Sequence, residues 1–203
     1  MKLYHSPTSP YVRKCVVLLH EAGALDQVEQ VAAHGTPMDS SKMPVSHNPL
    51  GKIPVLERED GPALADSRVI TRYLNDKLGG SFYPETRLYE VLTLEALADG
   101  MTDAALLMTY EGRLRPEDSR WPDYADAQWD KIGRTLDQIE ARWMPHLAGP
   151  LDMGQIALAC CLAYVDFRHG VRAWRDGRRG LAAWFEKIAA RDSMMATVPP
   201  EGA

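Results

Sequence analysis

Cysteine, net positive charge and long apolar runs are all lacking or scarce in this chain, and each shortage excludes something. Among 203 residues there are three cysteines. Cys15, Cys160 and Cys161 are odd in number, two are adjacent, and none forms a C-x-x-C pair, so neither a disulfide framework nor a zinc site is encoded. Their apolar neighbours mark them as buried thiols of a reducing compartment. The six histidines (His5, His20, His34, His47, His146, His169) lack metal-ligand spacing, so no metal is expected. The N-terminal MKLYHSPTSP has one lysine and then turn residues, with no apolar leader. No segment approaches a membrane span, and a cytoplasmic location is expected. Lys and Arg total 23 against 28 Asp and Glu, a net charge of −5, which argues against nucleic acid as a partner. The local cluster Arg168, Arg172, Arg175, Arg178 and Arg179 reads as a solvated helical surface.

What is present suits an ordinary globular protein, with 45% hydrophobic and 25% charged residues. The first part alternates short strands with helices. Strands are expected at Lys2–Tyr4, Val28–Val31, Ile53–Leu56 and Pro62–Leu64, and the polar stretch 34–47 reads as a loop. One helix starts at Ser9-Pro10, with Val12, Cys15, Val16 and Leu19 as its buried stripe and Gly23 as its stop. Another starts at Ser67, read as its cap, and buries Ile70, Tyr73, Leu74 and Leu78. After the linker Gly79-Gly80-Ser81 strand signals disappear. Helices are expected at 88–110, at 125–143, from Asp152 onward and around Leu181–Ile188, with a frayed tail after Ser193. Asp152 can cap its helix while Gln155 reaches back, and the body Ile156–Tyr164 is apolar all round, as in a buried central helix. The paired carboxylates Asp99 and Asp103 and the Met101–Met108 stretch read as a solvated face and as core.

Three pieces of the first part carry chemistry. Ser9-Pro10 opens a helix, where backbone N–H groups and the macrodipole favour an anion, although a plain cap needs the same residues. In Gly51-Lys52-Ile53-Pro54-Val55-Leu56 a proline inside a strand makes sense if the Ile53–Pro54 bond is cis, which frees the Ile53 backbone to pair with a peptide-like ligand. An edge strand beginning near a proline is the plainer alternative. Asp66-Ser67 opens a second helix, which could receive the charged end of an amino acid or could simply be capped.

Taken together, S-P-Y-V-R-K, N-P-L-G-K-I-P-V-L and A-D-S-R-V-I-T-R-Y-L, in this order and spacing, resemble the N-terminal domain of cytosolic glutathione transferases of the bacterial, serine type. D-M-G-Q-I-A-L-A-C with L-A-Y-V-D-F-R resembles their C-terminal domain, so the likeness covers nearly the whole chain. It implies an α/β plus all-α architecture: a thioredoxin-like glutathione-binding domain at 1–78, with a mixed four-stranded sheet and helices, and an all-helical bundle domain at 84–203. Glutathione is the implied co-substrate, a small hydrophobic electrophile the second substrate, and a homodimer the implied assembly. Ser9 would face the glutathione sulfur, Ile53 beside cis-Pro54 would pair with the cysteinyl unit, and Asp66 and Ser67 would hold the γ-glutamyl end. Lys52 and His34 would serve the glycyl carboxylate. Tyr11, Met101, Met108 and Tyr110 would line an electrophile pocket between the domains. Tyr4, near the end of the first strand, and Thr8, beside Ser9, are alternatives for the sulfur contact. Glutathione-dependent disulfide or peroxide reduction, or a non-catalytic interaction role, are the rival functions; a cysteine in place of Ser9 would favour reduction.

One serine is energetically enough. A thiol of ordinary pKa about 8.5 lowered by roughly two units needs about 2.7 kcal/mol of preference for the anion. A charge-assisted hydrogen bond contributes about 1.5–3 kcal/mol, and a helix N-terminus about 0.3–1 kcal/mol.

Overall fold

The computed structural model describes residues 1–200 and Gly202. It divides into two compact units, Met1–Leu88 together with the chain from Asp192 onward, and Tyr89–Arg191.

In the first unit the strands β1 (Lys2–His5), β2 (Glu29–Ala32), β5 (Val55–Glu57) and β6 (Leu64–Ala65) form a mixed sheet in the order β2-β1-β5-β6. β1 runs parallel to β2 and antiparallel to β5, and β5 runs antiparallel to β6. Consecutive Val55 and Leu56 are both fully buried because β5 lies inside the sheet with both faces covered. Leu56 faces Leu3 in register, and each such leucine contributes about 2 kcal/mol by leaving water. Helix α1 (Pro10–Glu21) packs on α2 (Ser67–Lys77), and α2 on β5 and β6.

Several sequence expectations shift here. The third strand begins at Val55, not at Ile53, because Pro54 has no N–H to give the ladder. The fourth lies at Leu64–Ala65, beyond the expected Pro62–Leu64. The stretch read as a loop holds a small hairpin, β3 (His34–Thr36) with β4 (Asp39–Lys42). All its strand residues are exposed, so no apolar alternation announced it; side-chain turns do the work, Thr36 Oγ1 accepting from Met38 N–H and Asp39 Oδ1 from Ser41 N–H. Of the residues expected to be buried by α2, Ile70 and Leu74 are, whereas Tyr73 and Leu78 are half-buried.

The tail expected to fray after Ser193 is held in place as far as Thr197. Helix α8 (Asp192–Met195) packs on α1, and Met194 is buried. Arg13, buried on α1, donates to the Met194 carbonyl at 2.9 Å and to Thr197 Oγ1 at 3.1 Å, and Ser193 Oγ donates to Glu21 at 2.5 Å. Arg13→Ala removes the charged donor and leaves the Met194 carbonyl only the longer bond from Thr197 Oγ1 at 3.3 Å, and is expected to cost about 1–3 kcal/mol. Chemical denaturation of the two proteins checks it; equal midpoints would mean the tail docks without Arg13.

The second unit is helical: α3 (Leu88–Leu114), α4 (Pro122–Arg142), α5 (Met144–Leu147), α6 (Met153–His169) and α7 (Arg179–Ala189). α6 is buried at every position from Met153 to Leu162, as its all-round apolarity requires. It approaches α3 so closely that a Cβ on Gly154 would lie 2.9 Å from the Val91 carbonyl. Asp152 caps α6, its Oδ1 accepting from Gln155 N–H at 3.1 Å. The Gln155 side chain does turn back, but it donates to the Pro150 carbonyl at 2.8 Å instead of closing a reciprocal box. In the arginine cluster, Arg172, Arg175 and Arg178 pair with Asp126, Asp166 and Asp137. Arg168 is half-buried, contrary to its reading as solvated surface.

Candidate functional site

Sheet register brings the chemistry-bearing segments to one end of the sheet. Tyr4 stands opposite Val55, and Val55 opposite Ala65. The chain therefore leaves β1 toward Ser9, enters β5 from Ile53-Pro54, and leaves β6 into Asp66-Ser67, all at the same end. β2 runs parallel to β1, with Ala32 opposite His5, so His34 follows at that end too.

Ser9 is the N-cap of α1, with φ −82° and ψ 119°, and Pro10 fills the first helical position where no N–H is needed. Its Oγ accepts from Val12 N–H at 3.3 Å. A hydroxyl that accepts still has its own hydrogen to donate. The turn before it is fixed by Ser9 N–H to the Ser6 carbonyl at 3.1 Å, while Thr8 Oγ1 shares a hydrogen bond with Ser6 Oγ at 3.2 Å. Tyr11, next on the helix, is half-buried.

The Ile53–Pro54 peptide is cis. Neither the N–H nor the carbonyl of Ile53 has a hydrogen-bond partner among the described residues. Lys52 is exposed, and its carbonyl accepts from Asn48 Nδ2 at 2.9 Å, which pins the approach to Pro54. His34 is exposed on β3.

Asp66, not Ser67, caps α2: its Oδ1 accepts from Arg68 N–H at 2.9 Å, and Ser67 is the first helical residue, 4% exposed. Asp66 sits at φ 73°, ψ 131°. Such a backbone costs a non-glycine residue about 1–3 kcal/mol, and outliers of this kind gather at ligand sites. Burial works to raise its carboxyl, but hydrogen bonds from the Arg68 side chain and backbone, then the Arg68 and Lys14 charges, outweigh it and hold the group below the usual carboxylate range.

The alternative tyrosine is committed elsewhere. Tyr4 Oη donates to Glu57 Oε2 at 3.1 Å, and burial, that hydrogen bond and the Glu57 charge raise its pKa. No cysteine offers a substitute nucleophile, since all three are buried and burial pushes Cys161 up to about 12. Met101 and Met108 lie on α3 in the core of the helical unit, 2% and 6% exposed, which leaves them little free surface. Tyr110 is half-buried, its pKa raised by burial and then by Tyr164.

Sequence reasoning passed over Lys14, buried on α1 with its charge felt by Asp66, and His5, whose pKa is lowered by burial and by neighbouring His34. Neither carries a local signal: Lys14 follows Arg13 on an ordinary helix, and His5 is a strand end. Among the described residues no group of three or more acidic, histidine or cysteine side chains is arranged to hold a metal, and no helix is long and apolar enough to cross a membrane.

Comparison with known proteins agrees with this layout. Residues 8–77 match the glutathione S-transferase N-terminal domain and residues 122–187 the C-terminal domain. The uncharacterized GST-like protein YibF of Escherichia coli K12 is 33% identical, over 99% of this chain and 100% of its own. A glutathione transferase family member from Pseudomonas fluorescens Pf-5, crystallised with bound glutathione, is 44% identical, covers 98% of both chains and superposes with a TM-score of 0.93. The same relative has been crystallised with S-(propanoic acid)-glutathione. A glutathione S-transferase from Methylobacillus flagellatus KT with glutathione bound is 33% identical, covers 98% of this chain and 99% of its own, and has a TM-score of 0.85. The chain belongs to the glutathione S-transferase family.

Proposed function

We propose that this chain conjugates the thiolate of glutathione to small hydrophobic electrophiles, with Ser9 as the sulfur's hydrogen-bond donor. The observation that carries the reading is the single sheet end at which Ser9, Ile53-Pro54 and Asp66-Ser67 gather. An extended tripeptide can pair its cysteinyl N–H and carbonyl with the unpartnered backbone of Ile53. Its γ-glutamyl amine then meets the Asp66 carboxylate, and its carboxylate meets Ser67 at the start of α2. Lys52 and His34, exposed at the same end, are assigned to the glycyl carboxylate. Tyr11, Met101, Met108 and Tyr110 remain the assignment for the electrophile. The thiolate sulfur, held by Ser9 Oγ–H and the α1 N-terminus, attacks the electrophilic carbon; an S–C bond forms and the leaving group departs with its electron pair. Relatives crystallised with glutathione, and one with an S-substituted glutathione, support both halves of the reaction. We extend the proposal to a homodimer, with 1–78 as the glutathione-binding domain and 84–203 as the helical one.

Calorimetric titration with glutathione, followed by turnover of chlorodinitrobenzene and of hydroxyethyl disulfide, tests this. Binding with arene turnover is expected. Turnover of the disulfide alone would reassign the protein to reduction, and absence of glutathione binding would leave a non-catalytic interaction role.

A further inference from the structure

Within the helical unit, two arginines and two tyrosines lie close enough to feel one another's charge, and the proposed reaction gives a role to Tyr110 alone. Tyr110 and Arg113 are three apart on α3 and share a face; Tyr164 and Arg168 are four apart on α6 and share another. The faces are joined: Tyr164 Oη donates to Thr109 Oγ1 at 3.2 Å, and His169 Nε2 lies 3.2 Å from the same Thr109 oxygen and 2.8 Å from the Ala105 carbonyl. Arg168 is half-buried, whereas Arg113 is exposed and enters no ion pair among the described residues. The acidic residue nearest Arg113 in sequence, Glu111, is engaged elsewhere, by Arg115 Nε at 2.7 Å and Trp121 N–H at 2.9 Å.

We infer that Arg113 and Arg168, with the hydroxyl of Tyr110, form a carboxylate subsite, so that preferred electrophiles carry an anionic group beside an apolar body. This rests on the reading that Tyr110 lines the electrophile site. Two neighbouring guanidinium groups repel one another, and the repulsion is screened less where Arg168 is half-buried. Burial first, and then the Arg113 charge, push the Arg168 pKa down, so the surroundings disfavour the charge they hold. A carboxylate reverses that balance, because each planar guanidinium can donate two parallel hydrogen bonds to it. The Tyr110 hydroxyl supplies a further donor, and its aromatic body faces the apolar part of the ligand.

The test uses two matched arenes with glutathione: para-chloro-meta-nitrobenzoate and its uncharged amide. In both, sulfur bonds to the ring carbon and chloride leaves with the bonding pair. The wild type is compared with Arg113→Gln, Arg168→Gln and Arg168→Lys. Each glutamine variant is expected to lower kcat/KM for the benzoate about tenfold and for the amide less than about twofold. Arg168→Lys should recover part of the loss, because it keeps the charge without the fork. Arg113 is exposed, so its variant keeps the question open if Arg168→Gln fails to fold. Equal losses on both arenes, or none on either, would overturn the subsite while leaving the transferase reading intact. No turnover of either arene by protein that still binds glutathione would overturn the transferase reading, and the subsite with it.

Discussion

Ser9→Ala lowers kcat by roughly 10- to 100-fold and leaves glutathione affinity within about twofold: that is the result expected if the hydroxyl donates to the thiolate. The size follows from one charge-assisted hydrogen bond of about 1.5–3 kcal/mol, at about 1.4 kcal/mol per tenfold in rate. Affinity changes little because the proposed binding mode gives most contacts with the tripeptide to Ile53, Asp66 and Ser67. Ser9 also caps α1, accepting from Val12 N–H, and losing that bond costs about 1 kcal/mol of stability. The two effects separate cleanly. A melt reports the cap, while the pH dependence of kcat reports the bound thiol, which should titrate nearer its ordinary value of about 8.5 in the alanine variant. Ser9→Thr keeps both cap and donor and should stay close to wild type in stability. An unchanged kcat in Ser9→Ala would move the role to Thr8, whose hydroxyl is shared with Ser6, ahead of Tyr4, whose proton is committed to Glu57.

The second large effect concerns stability. Asp152 is 1% exposed and performs two tasks. One carboxylate oxygen caps α6 by accepting from Gln155 N–H; the other lies 2.8 Å from His146 Nε2, a close contact that is not aligned as a full hydrogen bond. Loss of the cap costs about 1–2 kcal/mol, and leaving the buried imidazole without its partner about 1–2 kcal/mol more. Asp152→Ala is therefore expected to lose about 2–4 kcal/mol, a fall in Tm of roughly 10 °C for a chain of this size. Asp152→Asn keeps a cap acceptor and removes the charge, so about half the loss is expected. Thermal melts of the three proteins check it. If Asp152→Ala melted with the wild type, α6 would not depend on its cap.

Much of the site was legible locally. Ser9-Pro10 and Asp152 announce helix starts because a cap bonds to an N–H only three residues on. The expected cis Ile53–Pro54 bond is present. The assignment of Ser67 as the α2 cap erred by one residue, since both Asp66 and Ser67 are good caps and only the backbone at φ 73° decides which side chain turns back. The hairpin at His34–Lys42 was illegible because an exposed ribbon needs no apolar alternation.

The sequence by itself determined where helices begin, which stripes are apolar, and which three segments carry polar residues fit for a peptide ligand. Those properties depend on neighbours within one helical turn or one strand. Only the tertiary structure decided that the three segments share one end of a sheet, that the tail from Asp192 docks on α1 through Arg13, and that Tyr164 of α6 meets Thr109 of α3. Each of these pairs residues tens of positions apart, as Tyr4 with Val55 or Arg13 with Met194. Hydrophobic pattern and capping act over short spans, whereas register and long-range hydrogen bonds are selected only when the whole core closes.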